Sequence, residues 1–276
     1  MILVFDSGLG GLTVYRELAK LAPDTPTVYL ADDAAFPYGA LDEAAVTERV
    51  MAVMAAAFAV HMPDAAIVAC NTASTSVLPH LRAQWPEIAF VGTVPAVKPA
   101  AEQSQSRMIT VLGTSGTVRR DYTHGLIRDH AGHCDVKLVG SENLAALAEA
   151  HAHGQAVTDD ALIAELAPCF AEIEGRRTDH IVLACTHYPL LLSRFEELAG
   201  ERVGWPVTFV DPAAAIARQA VRVLEQRPAR RETVRLEPVR QVWTSSGQAD
   251  ARSHALFVTF GLTFAPGFRL DFDRSR

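Results

Sequence analysis

The stretch Ala66-Ile67-Val68-Ala69-Cys70-Asn71-Thr72 decides the fold. Four apolar residues run without a break into a cysteine and two small polar residues. A short, wholly apolar run that stops at polar residues reads as a strand buried on both faces, the kind that parallel sheets use. The same grammar recurs at Ile2–Phe5 before Asp6-Ser7-Gly8, at Ile109–Leu112 before Gly113-Thr114-Ser115, and at Ile181–Ala184 before Cys185-Thr186-His187. Thr27–Leu30, Phe90–Val91, Val136–Val139 and Val207–Val210 are further buried-strand candidates. Leu12–Leu21, Glu43–Val60, Val118–His130 and Thr158–Glu174 lie between them and carry helical periodicity. Alternation of this kind predicts an α/β protein with mainly parallel sheets flanked by helices.

The strand ends also suggest a duplication. In each half an opening strand ends in Ser or Gly, and a later strand ends in Cys followed by two polar residues. Two similar α/β domains are therefore expected, related by architecture and not by a detectable repeat. Prolines interrupt the chain at Val94-Pro95-Ala96-Val97-Lys98-Pro99 and at Asp211-Pro212, which mark the crossovers. The expected division is 1–95 plus 208–276 for the first domain and 96–207 for the second. The helix at Ala213–Gln226 and the strand-like Arg240–Thr244 carry too little patterning for a third domain, so they should complete the first. The polar tail from Gly267 reads as loosely ordered. Parallel sheets hold ligands at the carboxyl ends of their strands, which places the active site in the cleft between the domains.

Composition narrows the classes. The 276 residues are 49% hydrophobic, enough for one large core or two modest ones. A net charge of -7 argues against nucleic acid or an anionic membrane as the main partner. The short basic run at Arg227, Arg230 and Arg231 reads as a solvated face. The N-terminus lacks a signal-peptide pattern, and the most apolar stretch, Met51–Val60, is too short to span a bilayer. A cytoplasmic protein is expected, with Cys70, Cys134, Cys169 and Cys185 as free thiols. Oligomeric state is left open, a homodimer included.

No cofactor is signalled. The lysines are Lys20, Lys98 and Lys137, and none follows a turn suited to pyridoxal phosphate. Gly8-Leu9-Gly10-Gly11-Leu12-Thr13 resembles a dinucleotide loop, but Thr13 stands where the third glycine belongs. His130, His133 and Cys134 lie close together without a further ligand at metal spacing, so a solvated helix end is expected and no metal.

What remains is a pair of cysteines, Cys70 and Cys185, each at a strand end where a helix should begin. Helix N–H groups favour an anion there, and the thiolate is the reactive form of cysteine. One thiol and one thiolate on opposite faces of a stereocentre supply the acid and base that inversion by proton exchange needs. Asp6 and His187 are the candidate helpers, each expected to orient the thiol of its own half. Ser7, Asn71, Thr72, Thr117 and Thr186 suit an amino-acid ligand, and the same residue types are also good helix caps.

Four segments then resemble the glutamate racemase family of bacterial cell-wall synthesis, in that family's order. They are Phe5-Asp6-Ser7-Gly8-Leu9-Gly10-Gly11-Leu12, Phe36-Pro37-Tyr38-Gly39, Ala69-Cys70-Asn71-Thr72-Ala73-Ser74 and Cys185-Thr186-His187-Tyr188-Pro189-Leu190. A weaker echo follows at Trp243-Thr244-Ser245-Ser246-Gly247. The resemblance implies that Cys70 and Cys185 are the catalytic acid and base. It also implies that Asp6, Ser7, Tyr38, Gly39, Asn71, Thr72, Thr186 and His187 bind substrate. Glu149, in Ala146-Leu147-Ala148-Glu149, is the match to a family glutamate whose preceding proline is absent here. The implied activity is cofactor-independent interconversion of L- and D-glutamate, supplying peptidoglycan. Many members carry a longer N-terminal arm that binds a cell-wall precursor as activator; the chain starts at its first strand, so that regulation is not expected. The rival readings are an aspartate racemase, a carboxylate-binding protein with structural cysteines, and a dinucleotide enzyme.

Overall fold

The computed structural model describes residues 1–226 and 239–268. Arg227, Arg230 and Arg231 and the tail beyond Phe268 lie outside the described residues. The first part of the chain forms β1 (Ile2–Asp6), α1 (Leu12–Leu21), β2 (Thr27–Ala31), α2 (Glu43–Val60), β3 (Ala65–Val68), α3 (Asn71–Gln84) and β4 (Ala89–Gly92). Helix α4 (Val97–Gln103) leads into β5 (Met108–Thr114), α5 (Ser115–Arg119), α6 (Asp121–His130), β6 (Asp135–Ser141), α7 (Leu144–Ala152) and α8 (Asp159–Leu166). Then come β7 (Glu172–Ile173), β8 (Arg176–Arg177), β9 (His180–Ala184), α9 (Leu192–Arg202), β10 (Thr208–Val210), α10 (Ala213–Glu225), β11 (Arg240–Thr244), α11 (Ala251–Thr259) and β12 (Thr263–Phe264).

Two parallel sheets result. The first runs β12-β11-β2-β1-β3-β4 and the second β10-β9-β5-β6; β7 and β8 form a separate antiparallel hairpin. Successive strand residues face opposite sides of a sheet, so each strand feeds two layers. Ile2, Val4 and Tyr29 pack under α1 and α10 with Leu12, Leu18 and Ala217. Leu3, Phe5, Leu30 and Val68 pack under α2 and α3 with Val50, Met54 and Val77. In the second sheet, Ile181 and Leu183 face Leu144, Leu162 and Phe195, while Val111 and Val182 face Val97 and Ala100. These are helix-covered parallel sheets, as the apolar runs imply.

The differences from expectation have local causes. The helix expected over 158–174 ends at Leu166, because Pro168 lies in a short 3-10 turn and the chain then reverses through Glu174 and Gly175 at φ 52° and 78°. The helix expected over 118–130 is two helices, broken at Arg120 with ψ 141°. The guanidinium of Arg120 reaches from this break to Thr75 on α3, 2.7 Å away. β10 pairs with β9, so Thr208–Val210 belongs by strand pairing to the second sheet, past the boundary expected at 207. β11 pairs with β2 and returns the chain to the first sheet. The start of the tail is docked: Phe268 is buried and stacks on Trp243 with ring centroids 5.1 Å apart.

Asp179 fastens the crossover into the second half. Its carboxylate accepts from Ser104 Oγ at 2.7 Å, Gln105 N at 2.7 Å, Ser106 N at 2.8 Å and His180 Nδ1 at 2.9 Å. Burial pushes this carboxyl up, but the four donors outweigh it and hold it at about 2. A depressed folded value means stability that is present above the ordinary carboxylate value and lost as pH falls through the folded one. Asp179→Asn should therefore lower stability at pH 7 by about 1 kcal/mol, after allowance for solvent screening. Urea melts should show the gap narrowing between about pH 4 and pH 2, whereas a gap of equal size at both ends contradicts this assignment.

Candidate active site

The carboxyl ends of β1 and β3 face those of β5 and β9 across a narrow cleft. Cys70 lies two residues past β3 and caps α3; Cys185 directly follows β9. Both line the cleft, and so do Ser7, Tyr38, Gly39, Asn71, Thr72, Thr186 and His187. Asp6, Thr117 and Glu149 stand behind this lining. Phe36, Pro37, Thr114 and Ala145 also line it and were not singled out from sequence. Thr114 carried a visible signal, being the strand-end residue of Leu112-Gly113-Thr114-Ser115, but Thr117 was preferred. Phe36 and Pro37 stand in the quoted Phe36-Pro37-Tyr38-Gly39 segment but were given no role there, and Ala145 left no signal, being an ordinary helical alanine.

Parallel neighbours β1 and β3 bring Ser7 beside Cys70, whose thiol donates to Ser7 Oγ at 3.6 Å. Burial and the charge of Asp6 push the Cys70 thiol up to about 12, against smaller opposing pulls from the Ala73 N–H and Ser7. At neutral pH Cys70 is thus a protonated thiol. Asp6 does not bond to the thiol of its own half as expected. Its Oδ1 accepts from Thr186 Oγ1 at 3.0 Å and its Oδ2 from Gly8 N at 3.2 Å. Fully buried, Asp6 has its carboxyl raised by desolvation, with His187 and its donors pulling the other way.

The second half-site differs in construction. No α-helix starts at Cys185; a 3-10 turn over Tyr188–Leu191 precedes α9, so the expected helix N-terminus is absent there. The partner of Cys185 is the His187 ring, with Sγ 3.9 Å from Nδ1. On its other side His187 Nε2 lies 2.8 Å from Glu149 Oε2. Burial pushes the imidazole down, but its bonds to Cys185 and Glu149 and the charges of Glu149 and Asp6 prevail, holding it well above its ordinary value. Glu149 shows the complement: burial raises it, and His187 and the Leu9 N–H bring it below the ordinary range.

These contacts cross between the halves. Leu9 N donates to Glu149 Oε2 at 3.1 Å, and Gly10 N lies 3.2 Å from His187 Nε2. Gly8 and Gly10 serve this approach, while Gly11 packs against Asp6, Tyr29 and Ala69 of its own half. A Cβ at Gly10 would stand 2.5 Å from His187 Nδ1 and 2.6 Å from its backbone N, and one at Gly8 2.9 Å from Nε2. Close packing of protein on protein, not a phosphate, accounts for the motif. On the far side Thr72 Oγ1 of α3 lies 3.1 Å from Thr114 Oγ1 and 3.2 Å from Thr117 Oγ1. Asn71 is buried in the cleft wall, and neither its amide oxygen nor its nitrogen has a partner in the chain. A buried unpaired amide costs about 1–3 kcal/mol, so Asn71 presents an unmet donor and acceptor in the cleft wall. The Tyr38 hydroxyl turns away to Asp32, leaving its ring and backbone to the cleft. Among the described residues no cluster of three metal-ligand side chains occurs.

Residues 2–220 match the Asp/Glu/Hydantoin racemase family. Glutamate racemase of Sinorhizobium medicae is 52% identical over 264 residues, covering 96% of this chain and 95% of that protein. Glutamate racemase of Brucella anthropi is 49% identical over 264 residues, covering 96% and 93%. Among solved structures, Escherichia coli glutamate racemase, in complex with L-glutamate and the activator UDP-MurNAc-Ala, superposes with a TM-score of 0.86. It is 37% identical, with 98% of this chain and 97% of that one covered.

The approach at Gly10 gives a direct test of the contact between halves. Gly10→Ala forces either His187 or the Ser7–Leu12 loop to move, at about 1–3 kcal/mol of overpacking strain. A melting midpoint lowered by several degrees is the expected result; an unchanged midpoint contradicts the approach as described.

Proposed function

The chain belongs to the Asp/Glu/hydantoin racemase family, and on that premise we propose that it interconverts L- and D-glutamate by proton exchange between Cys70 and Cys185. The observation that carries this reading is the pair of thiols, one from each sheet, lining a single cleft at the carboxyl ends of their strands. The relatives at about half identity are glutamate racemases, which favours glutamate over aspartate.

The proposed roles follow from the neighbours of each sulfur. Cys185 takes the α-proton of one enantiomer while Cys70, a thiol at neutral pH, delivers its own proton to the opposite face. Cys70 is then the thiolate, held by Ser7 and the first-turn N–H groups of α3, and is poised for the reverse reaction. His187 sits next to Cys185 as its proton partner, with Glu149 fixing the ring. Asp6, with its raised carboxyl, exchanges protons behind Cys70. Ser7, Asn71, Thr72 and Thr186 hold the carboxylates and ammonium, joined by the backbone of Tyr38 and Gly39. Thr117 acts through Thr72 and Thr114.

The two sheets are proposed as two domains, 1–95 with the returning C-terminal segment and 96 to about 210, meeting at the cleft. The proposed setting is the cytoplasm, with D-glutamate passing to peptidoglycan synthesis. Among the described residues no helix is long and apolar enough to cross a membrane.

Cys70→Ser and Cys185→Ser should each lower racemisation, followed by circular dichroism, by at least about 100-fold. Turnover at the wild-type rate in either variant overturns the two-thiol reading. In deuterated solvent, the product of the wild-type chain should carry deuterium at the α-carbon, and an unlabelled product excludes proton exchange.

A further inference from the structure

The loop from Asp32 to Ala40 leaves β2 and forms one wall of the cleft, touching both half-sites. The Phe36 ring lies 5.1 Å from the His187 ring. Tyr38 and Gly39 line the cleft, and a Cβ on Gly39 would stand 2.8 Å from Thr114 Cβ. A shift of a few tenths of an ångström here therefore alters the space on both sides of the substrate. Yet the loop has no strand partner of its own, only two 3-10 turns, Asp33–Ala35 and Tyr38–Ala40.

Two consecutive carboxylates root it. Asp32, fully buried, accepts the Tyr38 hydroxyl together with Nε and Nη2 of Arg49 at 2.7 and 2.5 Å. Asp33 turns to the other side. Its Oδ1 accepts from Ser245 Oγ at 3.1 Å and Ser246 N at 2.9 Å, and its Oδ2 from Ser246 Oγ at 2.5 Å. Ser245 Oγ in turn accepts from Ala34 N at 3.1 Å. The register of β11 on β2, with Thr244 opposite Ala31, carries the two serines to this spot. They belong to Trp243-Thr244-Ser245-Ser246-Gly247, none of whose residues lines the cleft.

We propose that Asp33 and Ser246 are positioning residues, through which the turn after β11 sets the height of the Asp32–Ala40 loop and with it the affinity for substrate. The inference rests on the racemase reading, and it assigns no chemistry to these two side chains. Loosening the root weakens binding of substrate and transition state alike, because the thiols and their partners are held by other elements. The signature of such uniform binding is a raised KM with kcat unchanged.

The test compares Ser246→Ala, Asp33→Ala and the conservative Asp33→Asn with the wild-type chain. Ser246→Ala should raise KM for both enantiomers about three- to tenfold and Asp33→Ala at least about tenfold, with kcat within about twofold of wild type. Asp33→Asn keeps an acceptor for the Ser245 hydroxyl and the Ser246 N–H and should fall between wild type and Asp33→Ala. KM unchanged in folded variants overturns the proposal, and so does a fall in kcat at constant KM. Ser246→Ala removes one hydroxyl and carries the test alone if Asp33→Ala does not fold. Failure of the wild-type chain to racemise glutamate sinks the racemase reading instead. Calorimetric affinity for D-glutamate then decides the positioning claim, with weaker binding in Ser246→Ala supporting it and equal or undetectable binding in both chains overturning it.

Discussion

The close contact between the Ser7–Leu12 loop of the first half and the Thr186–His187 segment of the second is the constraint on which the site depends. Asp6, Leu9 and Gly10 meet Thr186, Glu149 and His187 in direct contact. Glu149 is partly buried and the others are buried, and each has a partner on the other half. Removing one partner leaves the other unpaired in a low dielectric, which costs more than the bond itself contributes. The two parallel sheets are thereby held with their carboxyl ends face to face, and each delivers one cysteine to the shared cleft.

That arrangement also distributes charge unequally. The first half carries a buried carboxyl, Asp6, whose charge opposes a thiolate at Cys70. The second half carries an imidazole, His187, held by Glu149, facing Cys185 and drawn toward its charged form by the carboxylates around it. Two chemically identical side chains therefore occupy dissimilar fields, and one thiol carries its proton before substrate enters. An exchange that needs an acid and a base on opposite faces starts from such an asymmetry. The unpaired Asn71 amide adds a donor and an acceptor to the wall between these two fields.

Much of the fold is legible in the sequence because buried parallel strands are wholly apolar, and Ile2–Phe5 or Ile181–Ala184 offer no other reading. Helix α3 is not legible in that way. Its first turns are Asn71-Thr72-Ala73-Ser74-Thr75-Ser76 and it contains Pro79, a poor helix sequence that tertiary packing of Ala73, Val77 and Leu81 overrides. The early end of the helix expected over 158–174, and the hairpin of β7 and β8 that follows, were hidden because Pro168 and Gly175 outweigh a plausible apolar period. For the site, the cysteines were marked by position, at strand ends followed by polar residues. Their partners were not, since Asp6 and Thr186 are 180 residues apart and only the docking of the halves reveals their bond. The glycine loop was misleading for a related reason. A glycine that admits a phosphate and one that admits a neighbouring helix turn look alike until the neighbour at Gly10 is seen.

The central claim is that the two sulfurs act from opposite faces of one carbon. A crystal structure of the chain with D-glutamate tests it most directly. The account predicts Cys70 Sγ and Cys185 Sγ on opposite sides of the α-carbon, each within reach of its hydrogen position, with the Asn71 amide bonded to the ligand. Glutamate bound with both sulfurs on one side, or with either remote from the α-carbon, contradicts it.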